Sequence, residues 1–354
     1  MLTKINYFYI ELKKIKSYLL KSIMKIIENH KTEEFTLKDS FQRKHNYLRI
    51  SLTDKCNLRC QYCMPEEKMN FLSQKNLMTA EEIFNIASTF VMLGVNKIRL
   101  TGGEPLLRKD ADIIMKQLSQ LPAELCITTN GILVNEFIDV FKRSGIKSVN
   151  ISLDTLHSGK FKEITQRNKF DKVIENIHIL IKEGFHVKIN LVVIKKMNDD
   201  ELPEFIKFTK FNPVHVRFIE FMPFAGNGWN LEKLVTYHEM LERINSEFIT
   251  EKLEDKIHST SKKFRVPGNK GTFAFITTMS EPFCGDCNRL RITADGKMKN
   301  CLFSRGEADI LTPFRNGEEI IPVIRKCLGM KASSMGGQTD PANMENRSMI
   351  QIGG

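Results

Sequence analysis

From residue 46 onward, short β-branched runs alternate with longer segments whose apolar residues recur at helical spacing. The runs that read as strands are NYLRISL (46–52), KIRLT (97–101), LCITT (125–129), SVNISL (148–153), HVKINLVV (186–193) and HVRFIE (215–220). Helical periodicity falls near 79–93, 109–120, 132–144, 170–183 and 199–210. Thr79, with Glu82 three residues on, reads as a capping box opening the first helix. Strand–helix alternation of this kind predicts parallel βαβ units. Six units fall short of the eight in a closed barrel, so the pattern predicts an α/β fold built on an incomplete (βα)6 TIM-like barrel over residues 46–228. After about residue 222 the rhythm breaks. A Gly-rich loop, PFAGNGWN, leads into helical sequence near 232–248. Short strands follow in KFRVPG and GTFAFITTM, and LRITADGKMKNCLF reads as a hairpin turning at Asp295-Gly296. Residues 229–354 are therefore expected to form a smaller C-terminal α+β lobe.

Composition narrows this only a little. The chain has 354 residues, 42% of them apolar, and a formal net charge of +11. A basic balance suits nucleic acid, a membrane surface or a polyanionic small molecule, and does not choose between them. No charge-free run of about 18 apolar residues occurs, so no membrane span is expected. Part of the excess charge is local, because residues 1–48 carry ten Lys and Arg against five acids. The first 27 residues hold six lysines and one acid with apolar residues between them, and no secretory core. Residues 1–45 thus form an N-terminal extension that resembles a mitochondrial transit peptide, which places the protein in the mitochondrial matrix. The competing reading is an extension without an address, on a cytoplasmic protein.

The cysteines carry the chemistry. Six of the eight fall into two triplets: Cys56, Cys60 and Cys63, then Cys284, Cys287 and Cys301. Tight triplets in a long chain point to metal in a reducing compartment rather than to a disulfide framework. Cys126 and Cys327 stand alone and read as small buried hydrophobes. A closed zinc site wants four ligands. The first triplet has no fourth Cys or usable His nearby. For the second, the nearest upstream histidine is His258, in a polar segment, and none follows Cys301. Three thiolates can instead hold an iron–sulfur cubane with one iron open.

The spacing C-x3-C-x2-C just after the first strand, with Tyr62 before its last cysteine, resembles the radical S-adenosylmethionine superfamily. LTGGEPLLR (100–108) after the second strand resembles that family's GGEP segment. The resemblance implies a 4Fe-4S cluster on Cys56, Cys60 and Cys63 that cleaves S-adenosylmethionine to a 5′-deoxyadenosyl radical. It also implies contacts to S-adenosylmethionine from Tyr62, Gly103, Ser152 and Met222. Other polar residues recur at strand ends, where barrel enzymes build their sites: Glu104, Thr128, Asn130, Asp154, Asn190 and Glu220. Capping of the following helices competes with that reading for Asn130 and Asp154.

Over roughly residues 38–354 the resemblance sharpens to the GTP 3′,8-cyclases, the A-type proteins of molybdenum cofactor biosynthesis. It is carried by LRISLTDKCNLRCQYCMPEE, KIRLTGGEPLLR, NISLDTL, VRFIEFMPF, CGDCNRLRITADG and the terminal Gly353-Gly354. It implies conversion of GTP to 3′,8-cyclo-7,8-dihydro-GTP, with a second 4Fe-4S cluster on Cys284, Cys287 and Cys301 against the guanine. Gly353 and Gly354 are implied to enter the active site and aid radical initiation. GTP contacts are implied for Arg49, Arg99, Thr128, Lys188 and the run Arg289, Leu290, Arg291, and less directly for Lys97 and Arg217. The residues support this independently: basic side chains inside strands of a buried parallel sheet need a polar cavity to face. Implied partners are an electron donor and a downstream cyclic pyranopterin monophosphate synthase, without nucleic acid; a homodimer is left open. Two alternatives remain at this point, another radical S-adenosylmethionine enzyme with an auxiliary cluster and a zinc-dependent RNA-binding protein.

Overall fold

A computed structural model describes residues 36–64, 70–255 and 257–354. The expected targeting leader falls largely on residues 1–35, outside the described residues. Strand β1 (Tyr47–Ser51) is followed by α1 (Ala80–Met92), β2 (Lys97–Thr101), α2 (Ala111–Leu118), β3 (Glu124–Thr129), α3 (Val134–Arg143) and β4 (Ser148–Ser152). Then come α4 (Ser158–Thr165), α5 (Phe170–Lys182), β5 (His186–Val193), α6 (Leu202–Phe211) and β6 (His215–Glu220). The C-terminal part contains α7 (Tyr237–Asn245), β7 (Glu251–Lys252), β8 (Lys262–Arg265), β9 (Thr272–Ile276), β10 (Arg289–Ile292), β11 (Lys297–Lys299) and β12 (Ala308–Asp309). It ends with α8 (Leu311–Arg315), α9 (Ile321–Gly329) and α10 (Met349–Ile352).

All six expected barrel strands form, and helix α1 opens on the Thr79–Glu82 capping box. The short helix α4 was not expected; its apolar residues Phe161 and Ile164 are too few to announce a period. The sheet order is β12-β11-β10-β1-β2-β3-β4-β5-β6-β9-β8-β7. Both β10 beside β1 and β9 beside β6 run parallel to their neighbours. The C-terminal region therefore extends the barrel sheet at both edges. Nothing local in these strands says which barrel strand each will join, so this pairing is invisible to periodicity.

Alternation along the strands separates two faces. Leu48, Ile50, Ile98, Leu100, Ile127, Val149, Ile189 and Val216 are buried in the core, where α1 contributes Ile83, Ala87 and Phe90. Each such Leu, Ile, Val or Phe side chain contributes about 1.5–3 kcal/mol of apolar burial. The opposite face carries a different set, aligned by register. Tyr47 lies level with Lys97 and Arg289, and Arg49 level with Arg99 and Arg291. Farther round, Lys188 lies level with Asn150 and His215, and Asn190 with Arg217. A slip of one residue would exchange the apolar and basic sets, so burial of the first fixes the second.

Candidate active site

The basic face encloses a cavity of about 890 Å³. Nine Lys and Arg residues line it against one side-chain carboxylate, Glu124. Arg49, Lys97, Arg99, Thr128, Lys188, Arg217, Arg289 and Arg291, all predicted from the sequence, are in the lining. Leu290 is not: it alternates to the other face and is fully buried in the core. Glu124 is occupied by Lys97, whose Nζ lies 2.8 Å from its carboxylate. Arg99 donates to the Ile127 carbonyl at 3.0 Å and to the Tyr47 hydroxyl. Other guanidinium groups are not satisfied. Among the described residues, Arg49 Nε, Arg217 Nε and Nη2, and Arg289 Nε are buried without an acceptor. Leaving such donors unmet costs about 1–3 kcal/mol each. Burial, with repulsion from neighbouring cations, pushes Arg217 down to about 9 and Lys188 down to about 8. The cavity is thus organised for an anion that carries several charges.

One wall of this cavity is the second triplet, since Cys284, Cys287 and Cys301 are all in the lining. The Lys331 ammonium is 3.8 Å from Cys287 Sγ, and the Met335 amide donates to Cys284 Sγ at 3.5 Å. Burial pushes the Cys287 thiol up, but Lys331 and Arg289 overcome it and hold the group below the ordinary thiol value. His258, distant in sequence, comes close: its Nδ1 is 3.0 Å from the Asp286 carbonyl.

The first triplet lies at the carboxyl end of β1, outside the lining. Burial pushes Cys56 up to about 11 and Cys63 up to about 12, so these thiols ionise only when a cation compensates the buried charge. The β1 and β2 ladders continue past the strands to shape this loop. Leu52 N donates to Thr101 O at 2.9 Å, Gly103 N to Thr53 O at 2.6 Å, and Glu104 N to Lys55 O at 2.8 Å. The buried Glu104 carboxylate then accepts from Thr129 Oγ1 at 2.8 Å and Asn130 N at 2.7 Å. Asn130 Nδ2 in turn reaches Cys56 Sγ at 3.7 Å. Tyr62 is tied to Asp154 Oδ2 at 2.6 Å. Of the residues implied for S-adenosylmethionine, Met222 lines the cavity; Tyr62, Gly103 and Ser152 do not.

Among the described residues, the three-ligand groups with donor atoms within 4.8 Å of one another reduce to His157, Glu201 and Glu204. Neither cysteine triplet is that tight. A single zinc at about 2.3 Å from each sulfur would draw them to about 3.8 Å. A cubane instead takes thiolates that bind different irons. Two all-cysteine triplets are soft donor sets of the kind iron–sulfur clusters take.

The chain's carboxyl-terminal turn packs against the ends of β1 and β2 beside the cavity. Gly353 O accepts from Arg291 Nη1 at 2.8 Å and from Thr101 Oγ1 at 3.4 Å. Gly354 and Met349 line the cavity. Farther back, Arg347 is clamped by Asp295 at 3.2 Å and Glu307 at 2.5 Å.

Residues 50–209 match the family model described as "Radical SAM superfamily", and residues 214–336 the one described as "Molybdenum Cofactor Synthesis C". The chain is 41% identical over 323 residues to the GTP 3′,8-cyclase of Alkaliphilus oremlandii, covering 90% of this chain and 100% of that one. It belongs to the GTP 3′,8-cyclase family. The mitochondrial GTP 3′,8-cyclase of Arabidopsis thaliana is 45% identical over 89% of this chain and 83% of its own. Molybdenum cofactor biosynthesis protein 1 of Bos taurus is 49% identical over 89% of this chain and 51% of its own, so the chain spans about half the length of that relative. In structure, the crystal structure of Streptococcus suis SuiB bound to S-adenosylmethionine aligns with a TM-score of 0.57 at 17% identity, covering 87% of this chain and 72% of that one. That likeness shows the fold. No helix among the described residues is long and apolar enough to cross a membrane.

Family membership leaves one linkage that the sequence did not disclose. Glu220, read only as a polar strand end, is fully buried. It accepts from Tyr237 N at 2.9 Å, Met279 N at 2.7 Å and Ser280 N at 2.9 Å, and from the Ser280 hydroxyl. One carboxylate thus joins the end of β6, the start of α7 and the loop leading to Cys284. Glu220→Gln replaces an acceptor by a donor facing those groups. It is expected to cost about 2 kcal/mol or more of unfolding free energy, measured by denaturant titration. An unchanged midpoint would show that the loops find other partners.

Proposed function

We propose that this chain cyclises GTP to 3′,8-cyclo-7,8-dihydro-GTP, the first step of molybdenum cofactor biosynthesis, using S-adenosylmethionine and two 4Fe-4S clusters. The observation that carries this is the set of buried, unpartnered guanidinium donors in a cationic cavity whose far wall is a cysteine triplet. A triphosphate brings about four charges and forked acceptors, and arginine matches them with bonds of about 1.5–3 kcal/mol each. Cys56, Cys60 and Cys63 would hold the first cluster, and Cys284, Cys287 and Cys301 the second. Reductive cleavage of S-adenosylmethionine supplies the one-electron chemistry when that cofactor is bound.

The chain's own residues do the rest. Arg49, Lys97, Arg99, Lys188, Arg217, Arg289 and Arg291 bind the triphosphate, with Thr128 beside them, and Leu290 offers its backbone. Ser152, Tyr62, Gly103 and Met222 orient S-adenosylmethionine, and the Tyr62–Asp154 bond fixes the aromatic ring for that task. Gly353 and Gly354 pack the space between the two sites and exclude water from it. An electron donor and a downstream cyclic pyranopterin monophosphate synthase complete the partners, and a homodimer fits the same reading. A mitochondrial location is supported by the Arabidopsis relative, which is a mitochondrial protein, and the matrix is the compartment we assign.

Anaerobic incubation with S-adenosylmethionine, a reductant and GTP is the test. The expected products are 5′-deoxyadenosine and the cyclised dihydro-nucleotide; 5′-deoxyadenosine with unchanged GTP would overturn the cyclase reading. Arg289→Ala is expected to weaken GTP binding about ten- to a hundredfold while S-adenosylmethionine binding persists, as measured by calorimetry. Equal loss of both would make Arg289 structural.

A further inference from the structure

Tyr47 was not among the residues read from the sequence, yet it stands at the centre of the cationic face. The guanidinium carbons of Arg49, Arg99 and Arg289 lie 6.0, 6.0 and 5.9 Å from its ring centroid, and Lys97 Nζ lies 5.7 Å away. The Nε of Arg99 donates to its hydroxyl oxygen. These groups come from three neighbouring strands: β1 supplies Arg49, β2 supplies Lys97 and Arg99, and β10 supplies Arg289. Arg291, two residues beyond Arg289 on β10, and Arg217 of β6, farther round the barrel, also feel the phenol. On β3 the acidic side chain is Glu124, which is already paired with Lys97. Mutual repulsion among so many buried guanidinium groups is costly without an anion among them. The phenol is the acidic group placed to meet that need at the cavity floor.

We propose that Tyr47 is a stand-in anion for the polyphosphate: its oxygen holds the arginine cage together in the free protein, and arrival of a polyphosphate returns a proton from solvent to it. The inference rests on the GTP reading above. It names a positioning residue, one that sets the arginines rather than touching the reacting atoms. Burial alone would raise the phenol, but Arg99, then Arg49 and Arg289, bring it from 10.0 to about 7. The sign of the linkage follows. Above that value the free phenol is ionised, and phosphate oxygens among the same arginines remove the positive field that kept it so. The proton balance is Tyr–O⁻ plus H⁺ giving Tyr–OH, with no redox change. Binding therefore takes up a proton, and affinity falls as pH rises through the phenol's value. Lys188, held down to about 8, adds uptake of its own, so the Tyr47 share must be read separately.

The experiment uses the anaerobic, cluster-loaded protein slightly above neutral pH. Tripolyphosphate, which is transparent in the near ultraviolet, is titrated while the tyrosinate band is followed. GTP is titrated calorimetrically in two buffers of different ionisation enthalpy to count protons. The wild-type protein is expected to lose tyrosinate absorbance with tripolyphosphate and to take up close to one proton per GTP. Tyr47→Phe, which preserves ring and packing, should keep its iron and S-adenosylmethionine binding. It should show no change in the band and lose more than half of the proton uptake, and above neutral pH it should bind GTP at least as tightly as the wild-type protein, with a weaker fall in affinity as pH rises. An unchanged wild-type band, or equal uptake in the two proteins, overturns the proposal while leaving the GTP site in place. Conversely, failure of GTP to bind, while tripolyphosphate still bleaches the band, upholds the cage and overturns the GTP reading.

Discussion

Gly103→Ala is expected to bring the iron content from about eight to about four per chain, with the second triplet still loaded. The reason is steric. A Cβ at Gly103 would overlap the Lys55 carbonyl, lying 2.7 Å from its carbon and 3.0 Å from the Asp54 carbonyl carbon. These are backbone atoms with no rotamer to escape into. They also belong to the loop that delivers Cys56, which is held against the GGEP segment by the Gly103 and Glu104 amides. Displacing one strand end from the other moves a cluster ligand directly. Cys284, Cys287 and Cys301 hang from different elements and should be untouched. Iron and sulfide analysis after anaerobic reconstitution, with S-adenosylmethionine cleavage as the second reading, decides the matter. Full iron with normal cleavage would mean the two loops separate without cost.

Gly353→Ala should reduce GTP turnover by at least about a hundredfold with both clusters and S-adenosylmethionine binding intact. Gly353 has φ +88°, and its Cβ would meet Ser51 Cβ at 2.6 Å and Thr101 Oγ1 at 3.0 Å. A side chain there costs about 1–3 kcal/mol in backbone strain before any clash. Helix α10 is a single turn, so the strain displaces the tail rather than the barrel. The Arg291 guanidinium, 2.8 Å from Gly353 O, then loses its partner in the cationic cavity. Removal of Gly353 and Gly354 should act alike. Turnover close to wild type in either variant would detach the tail from catalysis.

The barrel half was legible because its signals are local. Arg49 and Arg99 stand out as basic residues inside runs that read as strands, and the GGEP and cysteine spacings follow single strands. What crosses the sheet was not legible. That Arg289 and Arg291 stand beside Tyr47 and Arg49 depends on β10 pairing with β1, some two hundred residues away in sequence. Tyr47 itself had a signal, since it shares the face of Arg49 two residues on. In the sequence the aromatic looks like ordinary strand composition, because Lys97, Arg99 and Arg289 lie on other strands. Glu220 likewise looks like any strand-end acid until the loops it joins are known. Leu290, between two arginines, shows how a motif read as a unit divides once strand alternation is applied.

The attachment of β9 and β10 to opposite edges of the barrel sheet also bears on how the protein is made. Chains emerge from the ribosome amino end first. The strands and thiols of the first triplet are all present before β10 exists, whereas Arg289, Arg291 and a whole wall of the cationic cavity come later. Until then β1 presents an unpaired edge, which is a hazard for association with other chains. The region that matches the radical SAM family thus precedes, in the order of synthesis, the region that completes the cavity. A half-made chain carries its first three cysteines but neither the second three nor Arg289 and Arg291.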